Sequence, residues 1–175
     1  MMSEGVEFFD VVDRYDSVIG KATRDEVHKL GLLHRSAHLL VFNSLGQVLL
    51  QRRSFEKDTS PGMWCSSVSG HLDSGEEYDE CVIREAAEEI GLELYDVPER
   101  LFKIRACEET GNEFSLVYRA NSEGPFFLDE EEVSEARWFD MGELDDSKLH
   151  GHGDFSPAFV KVWSRFVEAE KRPIR

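Results

Sequence analysis

The sequence predicts an α+β fold in which helices are layered on a sheet, and three observations carry that prediction. Strand-forming runs stand both before and after one carboxylate-rich helical stretch at 77–90. A second stretch with apolar residues at helical spacing lies near the C-terminus. No linker, internal repeat or low-complexity segment divides the 175 residues, and residues 1–175 are therefore read as a single domain with a sizeable core.

Taken in order, Phe8 to Val12 predicts a short strand, Asp13 to Ser17 a turn, and Val18 and Ile19 the returning arm of a hairpin. Thr23-Arg24-Asp25-Glu26 fits the T-x-x-E capping box, in which the threonine hydroxyl and the glutamate carboxylate satisfy backbone donors at a helix start. A short helix then runs to about Leu30, so 1–33 is an N-terminal extension of hairpin and helix. His34 to Phe42 and Gln47 to Arg52 read as adjacent antiparallel strands joined through Asn43-Ser44-Leu45-Gly46. Next come the cations Arg53 and Lys57 in a loop closed by Pro61-Gly62-Met63-Trp64. Leu101 to Cys107 and Phe114 to Arg119 predict a second antiparallel pair around the acidic loop Glu108 to Glu113. The run Asp129 to Glu132 reads as a solvated loop, and Glu135 to Phe139 as another strand. Ser156-Pro157 opens a final helix over 156–172, with Phe159, Val160, Val162, Trp163, Phe166 and Val167 as core residues and Pro173 beyond its end.

Chemistry concentrates between Gly70 and Leu92. On a helix from about Glu77 to Ile90, Glu85, Glu88 and Glu89 fall at i, i+3 and i+4 and share a face, with Val82, Ile83, Ala86, Ala87 and Ile90 on the other side. Each such like-charge pair costs a few tenths of a kcal/mol in a bare helix, so the cluster calls for solvent or a cation. Hard divalent ions such as Mg²⁺ take oxygen ligands of this kind.

Composition narrows the partners. Lys and Arg number 20 against 36 Asp and Glu, a net charge of −16, which argues against nucleic-acid polymers and anionic membranes. An acidic protein that binds an anion must rely on local cations. The three cysteines, Cys65, Cys81 and Cys107, form no C-x-x-C pair and are odd in number, as expected in a reducing, cytoplasmic setting. No apolar run reaches the length of a membrane span, and the start MMSEGVEFFD has neither a basic nor an apolar signal region.

Gly70, Glu76, Arg84, Glu85, Ala86, Glu88, Glu89, Gly91 and Leu92 fit G-x5-E-x7-R-E-U-x-E-E-x-G-U, where U is aliphatic. This resembles the Nudix box. Seven single-identity positions at fixed spacing put a chance match on the order of one in a million. The resemblance implies an α/β/α sandwich around a mixed sheet, with 70–92 as a loop-helix-loop that holds Mg²⁺ or Mn²⁺ against a diphosphate. It implies Glu85 and Glu89 as direct ligands, Glu88 as a direct or water-mediated one, the Gly70 carbonyl as a further one, and Arg84 with Glu76 as the brace between loop and helix.

Beyond the box, Arg24, His28, His34, GQVLLQRR, Lys57, PGMW, SSVSGH, NEFSLVY and FSPAF resemble the isopentenyl diphosphate isomerase-like branch of that superfamily. Two positions depart from true isomerases. Ser69 stands where the isomerases carry a cysteine acid, and Gly111 where they carry the first acid of an E-x-E pair that ends here at Glu113. Cys65, four residues earlier, is not carried over as that acid. A hydroxyl is too weak an acid for the task, and the box is intact, so the balance favours hydrolysis of a small soluble diphosphate such as a nucleoside diphosphate. Isomerase-type activity is the alternative, and a non-catalytic diphosphate-binding protein a third reading. The resemblance further implies Arg24, Arg53 and Lys57 as diphosphate contacts, His71 as a substrate contact, and a second-metal set at His28, His34, His71 and Glu113 from which Gly111 has removed a ligand. The general base is left among Glu85, Glu88 and Glu113, and the assembly between monomer and homodimer.

Overall fold

Strand β3 (His34–Phe42) organises the molecule, because its alternate residues feed two different cores. In the computed structural model, which describes residues 6–145, 149 and 153–171, Leu40 and Phe42 pack on one side of the sheet with Val48, Leu50, Phe139, Phe159, Trp163 and Phe166. Ala37, Leu39 and Val41 pack on the other with Val68, Val82, Ala86, Ile90 and Tyr118. The first core lies under the helix at Pro157–Glu170 and the second under the helix at Tyr78–Ile90, so the chain is an α/β/α sandwich.

The elements run β1 (Phe8–Val12), β2 (Val18–Thr23), α1 (Arg24–Leu30), β3, β4 (Val48–Arg53), β5 (Trp64–Cys65), β6 (Val68–His71), α2 (Tyr78–Ile90), β7 (Glu99–Ile104), β8 (Glu113–Asn121), β9 (Val133–Phe139), a 3₁₀ turn at Met141–Leu144, and α3 (Pro157–Glu170). The β1–β2 hairpin is a sheet of its own. The main sheet is mixed: β3 pairs parallel with β8 in full register from His34↔Glu113 to Phe42↔Asn121. The other edge of β3 is shared, with β6 on its first half (Ser36↔His71 to Leu39↔Val68) and β4 on its last residues (Val41↔Leu49, Phe42↔Val48). β4 also pairs with β5 and β9, and β7 closes the far edge on β8.

Most expected elements stand within two residues of their predicted bounds. β7 is shifted toward Glu99 and ends at Ile104 rather than Cys107. Thr23 closes a complete capping box with Glu26, and Ser156 caps α3 through the Phe159 N–H. Residue 172 and Pro173 lie outside the described residues. The pattern did not announce β5, β6 or the parallel β3–β8 pairing. One face assignment changes on α2: Ala87 is exposed, while Glu89 turns into the core at 4% exposure.

The hairpin is fastened to the sandwich through its turn. Asp16, at φ 66°, accepts from Arg35 Nε at 2.6 Å and from the Tyr78 hydroxyl at 3.0 Å, and Lys103 pairs with the same carboxylate.

Candidate active site

Two cavities of about 360 and 240 Å³ meet at Arg53 and at Ser69, Gly70 and His71 of β6. The larger one holds the box. Gly70 faces Glu85 so closely that a Cβ there would stand 2.1 Å from the carboxyl group, so only glycine lets this strand carry its carbonyl past the helix. Glu89 enters from the next turn of α2. Its Oε2 accepts from Gln51 Nε2 at 2.6 Å and from the Ser69 N–H at 3.0 Å, while among the described residues none bonds to its other oxygen.

Arg84 is the brace. Its Nε and Nη2 fork onto the two Glu76 oxygens at 2.8 Å each, its Nη1 reaches Glu85 Oε1 at 2.8 Å and Glu88 Oε2 at 3.0 Å, and its Nη2 donates to the His71 carbonyl at 3.1 Å. Bidentate arginine–carboxylate pairing fixes geometry as well as charge, so the loop at 71–76 is locked to the helix. Glu76 and the other carboxylates raise the already high pKa of Arg84. Glu88, with its side chain 58% exposed, extends into solvent.

Burial and the neighbouring Glu85 push the Glu89 carboxyl up to about 8, and burial raises Glu85 as well, against the pull of Arg84. Two carboxylates forced toward neutrality beside one another form a place where a divalent cation fits, since a positive charge relieves both desolvation and repulsion.

The cations stand across the same cavity. Arg24 is bound to Glu7 at 3.1 Å and Asp58 at 3.2 Å, and Lys57 is ion-paired with Glu132. Arg53 is held by Thr59, Nε to the carbonyl at 2.9 Å and Nη2 to the hydroxyl at 3.1 Å; among the described residues no carboxylate pairs with it. Asp129 and Glu132 also line this cavity, which corrects the reading of 129–132 as merely a solvated loop. Folding brings that run over the C-terminal end of α2, where the Asp129 N–H donates to the Glu89 carbonyl at 3.0 Å.

The histidines form a second centre. Donor atoms of His28, His34 and His71 all lie within 4.8 Å of one another; among the described residues, no other set of three ligand-type side chains, the box glutamates included, meets that measure. Strand register explains half of it, because His34 sits opposite Glu113 across β3–β8 and His71 opposite Ser36 across β3–β6. Helix α1 brings in His28. Glu113 Oε1 stands 2.9 Å from His71 Nε2 and 3.7 Å from His34 Nε2. Burial alone would raise Glu113, but His71 and His34 outweigh it and hold the carboxyl at about 2.

His34 shows what this cluster lacks. Its Nδ1 lies 2.9 Å from the Leu32 carbonyl, which can only accept, so Nδ1 carries the proton and Nε2 presents a bare lone pair. Burial lowers His34 to about 4 and keeps it neutral. Nε2 is buried without a hydrogen-bond partner, facing a carboxylate oxygen that is also an acceptor. Two lone pairs facing one another at a buried atom fit a cation between them. A Cβ at Gly111 would stand 3.6 Å from Glu113 Oε1, so position 111 borders the cluster.

Two contacts went unforeseen. Phe9 of β1 covers the cluster, its ring stacked on His71 at 4.8 Å and on His34 at 5.9 Å. Gln51 left a partial signal in the sequence, as an amide directly following the apolar run Val48–Leu50. Cys65 is nevertheless close to Ser69 in space: its Sγ lies 3.5 Å from Ser69 Oγ, and both line the smaller cavity. The short strands β5 and β6 place side by side what the sequence sets four residues apart.

A NUDIX domain family model matches residues 32–159. The isopentenyl-diphosphate Delta-isomerase of Paenarthrobacter aurescens (strain TC1) is 33% identical over 175 residues, 97% of this chain and 95% of its own. The Nudix hydrolase YfcD of Escherichia coli (strain K12) is 35% identical over 141 residues, 79% of this chain and 76% of its own. Among solved structures, DR0079 from Deinococcus radiodurans superposes with a TM-score of 0.79 at 27% identity, covering 91% of this chain and 98% of that one.

Proposed function

Because the chain belongs to the Nudix family, whose hydrolases cut pyrophosphate bonds in small substrates, we propose that it hydrolyses a nucleoside diphosphate or a related small diphosphate with Mg²⁺ or Mn²⁺. One observation carries this reading. The buried carboxylates Glu85 and Glu89 and the cations Arg24, Arg53 and Lys57 line a single cavity, an arrangement that suits a polyanion and a divalent ion together.

Glu85, Glu89 and the Gly70 carbonyl would hold the ion, with Glu88 joining when it leaves Arg84. An ion held there would offset the charge of the diphosphate and acidify a water. The chain's own residues do the rest. Arg53 meets the diphosphate without first giving up a carboxylate partner, while Arg24 and Lys57 exchange theirs for phosphate oxygens. Gln51 and the Ser69 N–H hold one Glu89 oxygen, and the other would be left for the ion. Arg84 keeps the loop closed on the helix, and His71 faces both cavities, where it can contact the second half of the substrate.

The experiment is phosphate release from nucleoside diphosphates, dinucleoside polyphosphates, nucleotide sugars and isopentenyl diphosphate, with Mg²⁺, Mn²⁺ and no metal. Metal-dependent release from one class is expected. Silence across the panel overturns the reading.

A second reading, double-bond migration in an isoprenoid diphosphate, is favoured by the histidine cluster and by Cys65, whose thiol lies beside Ser69 in the smaller cavity. Its assay is deuterium incorporation into isopentenyl diphosphate. Loss of that incorporation in Cys65→Ser would support it, and none in the wild type would remove it.

A further inference from the structure

The smaller cavity is lined by a histidine that belongs to neither centre. His38 of β3 is 2% exposed. Its Nδ1 lies 3.0 Å from Ser66 Oγ, and among the described residues this is the one hydrogen bond that either side chain makes. Ser66 is fully buried, so its hydroxyl proton needs Nδ1 as acceptor; with the proton on Nδ1 instead, the hydroxyl would have nothing to donate to. The bond therefore assigns the imidazole proton to Nε2. Burial lowers His38 to about 4 and keeps the ring neutral. Unlike Nε2 of His34, which is sealed in without a partner, Nε2 of His38 is left open to the cavity as an unused donor.

The rest of the lining narrows what could take that donor. Six of the lining residues are serine or threonine, and among the described residues no bond reaches the side chains of Ser60 or Glu108, which adds a free hydroxyl and a free carboxylate. Glu109 is paired with Lys161 and Glu113 with His71. Arg53, the one lysine or arginine of the lining, stands where this cavity meets the box cavity. Three carboxylates make the space unfavourable to a further anion. The apolar side chains are those of Cys65, Pro157 and Ala158 alone, with no Phe, Tyr or Trp among the described lining residues. A flat base finds no such ring to stack on, and a hydrocarbon would strand the His38 N–H. A group with several hydroxyls, each both donor and acceptor, answers the imidazole, the serine and the carboxylate together. At about 240 Å³, the space falls below the roughly 300 Å³ at which pockets for drug-sized ligands begin, so the occupant is one small group.

We infer that the smaller cavity holds the half of the substrate attached to the diphosphate, that this half is a sugar or a similar polyol, and that Nε2–H of His38 donates to one of its hydroxyl oxygens. The inference rests on the diphosphate reading above and narrows it, since a ribose-type group is favoured over the hydrocarbon of isopentenyl diphosphate. His38 takes no part in breaking the anhydride; it selects what is attached to it.

Binding tests this separately from turnover. Calorimetry with Mn²⁺ compares imidodiphosphate with α,β-methylene diphosphates that carry a nucleoside, its 2′,3′-dideoxy form, or the isopentenyl group. Wild type should bind the ribose form at least about tenfold more tightly than the dideoxy and isopentenyl forms, the size of one buried hydrogen bond lost. In His38→Leu that preference should shrink to within about threefold, while imidodiphosphate, which has no second half, binds as in wild type. With Mg²⁺ in place of Mn²⁺, nitrogen-15 spectra of the wild-type imidazole should show the proton on Nε2 and a shift of that signal with the ribose form but not with the dideoxy form, a readout that needs no variant to fold. Phosphate release is scored on its own: none from any substrate, with the ribose preference intact, overturns the hydrolase reading and leaves this assignment standing. Absence of imidodiphosphate binding overturns both. The inference alone fails if wild type binds the dideoxy or isopentenyl form as tightly as the ribose form, if His38→Leu keeps the preference or weakens imidodiphosphate by the same factor, or if the Nε2 signal does not respond.

Discussion

Glu89 carries a carboxylate where burial and Glu85 both oppose its charge, and the pH dependence of stability should show it. Its pKa is raised from 4.5 to about 8. Between those values the folded protein holds a proton that the unfolded chain has released, so the stability of the metal-free protein falls as pH climbs through that window. In Glu89→Gln this slope should be absent. Melting curves of both proteins from pH 5 to 8.5 check it, and parallel curves would contradict it. The same variant should remain folded and lose metal-dependent turnover. Gly70 is as exacting. The side chain of Gly70→Ala would need the space of the Glu85 carboxyl group. It should cost about 1–3 kcal/mol in stability by displacing a packed neighbour and abolish turnover, whereas Gly20→Ala on the exposed strand β2, where an added Cβ meets nothing within 4 Å, should leave both nearly unchanged.

At the scale of elements, β1, β2 and α1 precede the residues matched by the family model, which begin at 32, yet they supply Phe9 and His28 to the histidine cluster. Part of their attachment runs through Asp16, beside the bonds of Asp10 to Ser74 and Gly75. Burial opposes the charge of Asp16, but Lys103, Arg35 and Tyr78 outweigh it and lower its pKa below 3.8. A depressed carboxyl pKa contributes stability above the unfolded value and loses it as pH falls through the folded one. Asp16→Asn should therefore cost about 2 kcal/mol at neutral pH, the worth of hydrogen bonds to a charged group, with the difference from wild type narrowing below about pH 4. Denaturant titration at pH 7 and pH 3 reads both. The second centre has its own measurement: His34→Ala should weaken the binding of one Zn²⁺ or Mn²⁺ equivalent in calorimetry while leaving the site at Glu85 and Glu89 occupied. A single binding step, unchanged in the variant, would leave the orphaned Nε2 without a cation.

For the whole molecule, a net charge of −16 makes the folded state self-repelling, and a divalent ion in the box should stabilise it measurably. At one hundred times its dissociation constant, an ion that binds only the folded chain adds about 2.7 kcal/mol, or about 5–11 °C in melting temperature for a protein of this size. Calorimetric scans with and without Mg²⁺ test this, and Glu85→Gln should remove most of the shift. No helix among the described residues is long and apolar enough to cross a membrane.

What could be read from the chain alone is what depends on near neighbours. Helix α2 and its row of glutamates follow from side chains three and four apart meeting on one face. The Thr23–Glu26 box follows from two residues reaching the same backbone turn, and the strands from β-rich runs bounded by turn residues. The fixed spacing from Gly70 to Leu92 carried the family for the same reason, since loop and helix there contact each other within a short stretch. The tertiary structure alone decided which distant segments share a space. It set β3 parallel to β8, placing His34 opposite Glu113. It also brought Cys65 of β5 to Ser69 of β6, turned Glu89 onto Gln51, and hung the 129–132 turn over the box so that Glu132 faces Lys57. Such contacts depend on how two helices and a mixed sheet close around their cores. That closure is fixed by the burial of all the apolar faces together, and no local pattern encodes it.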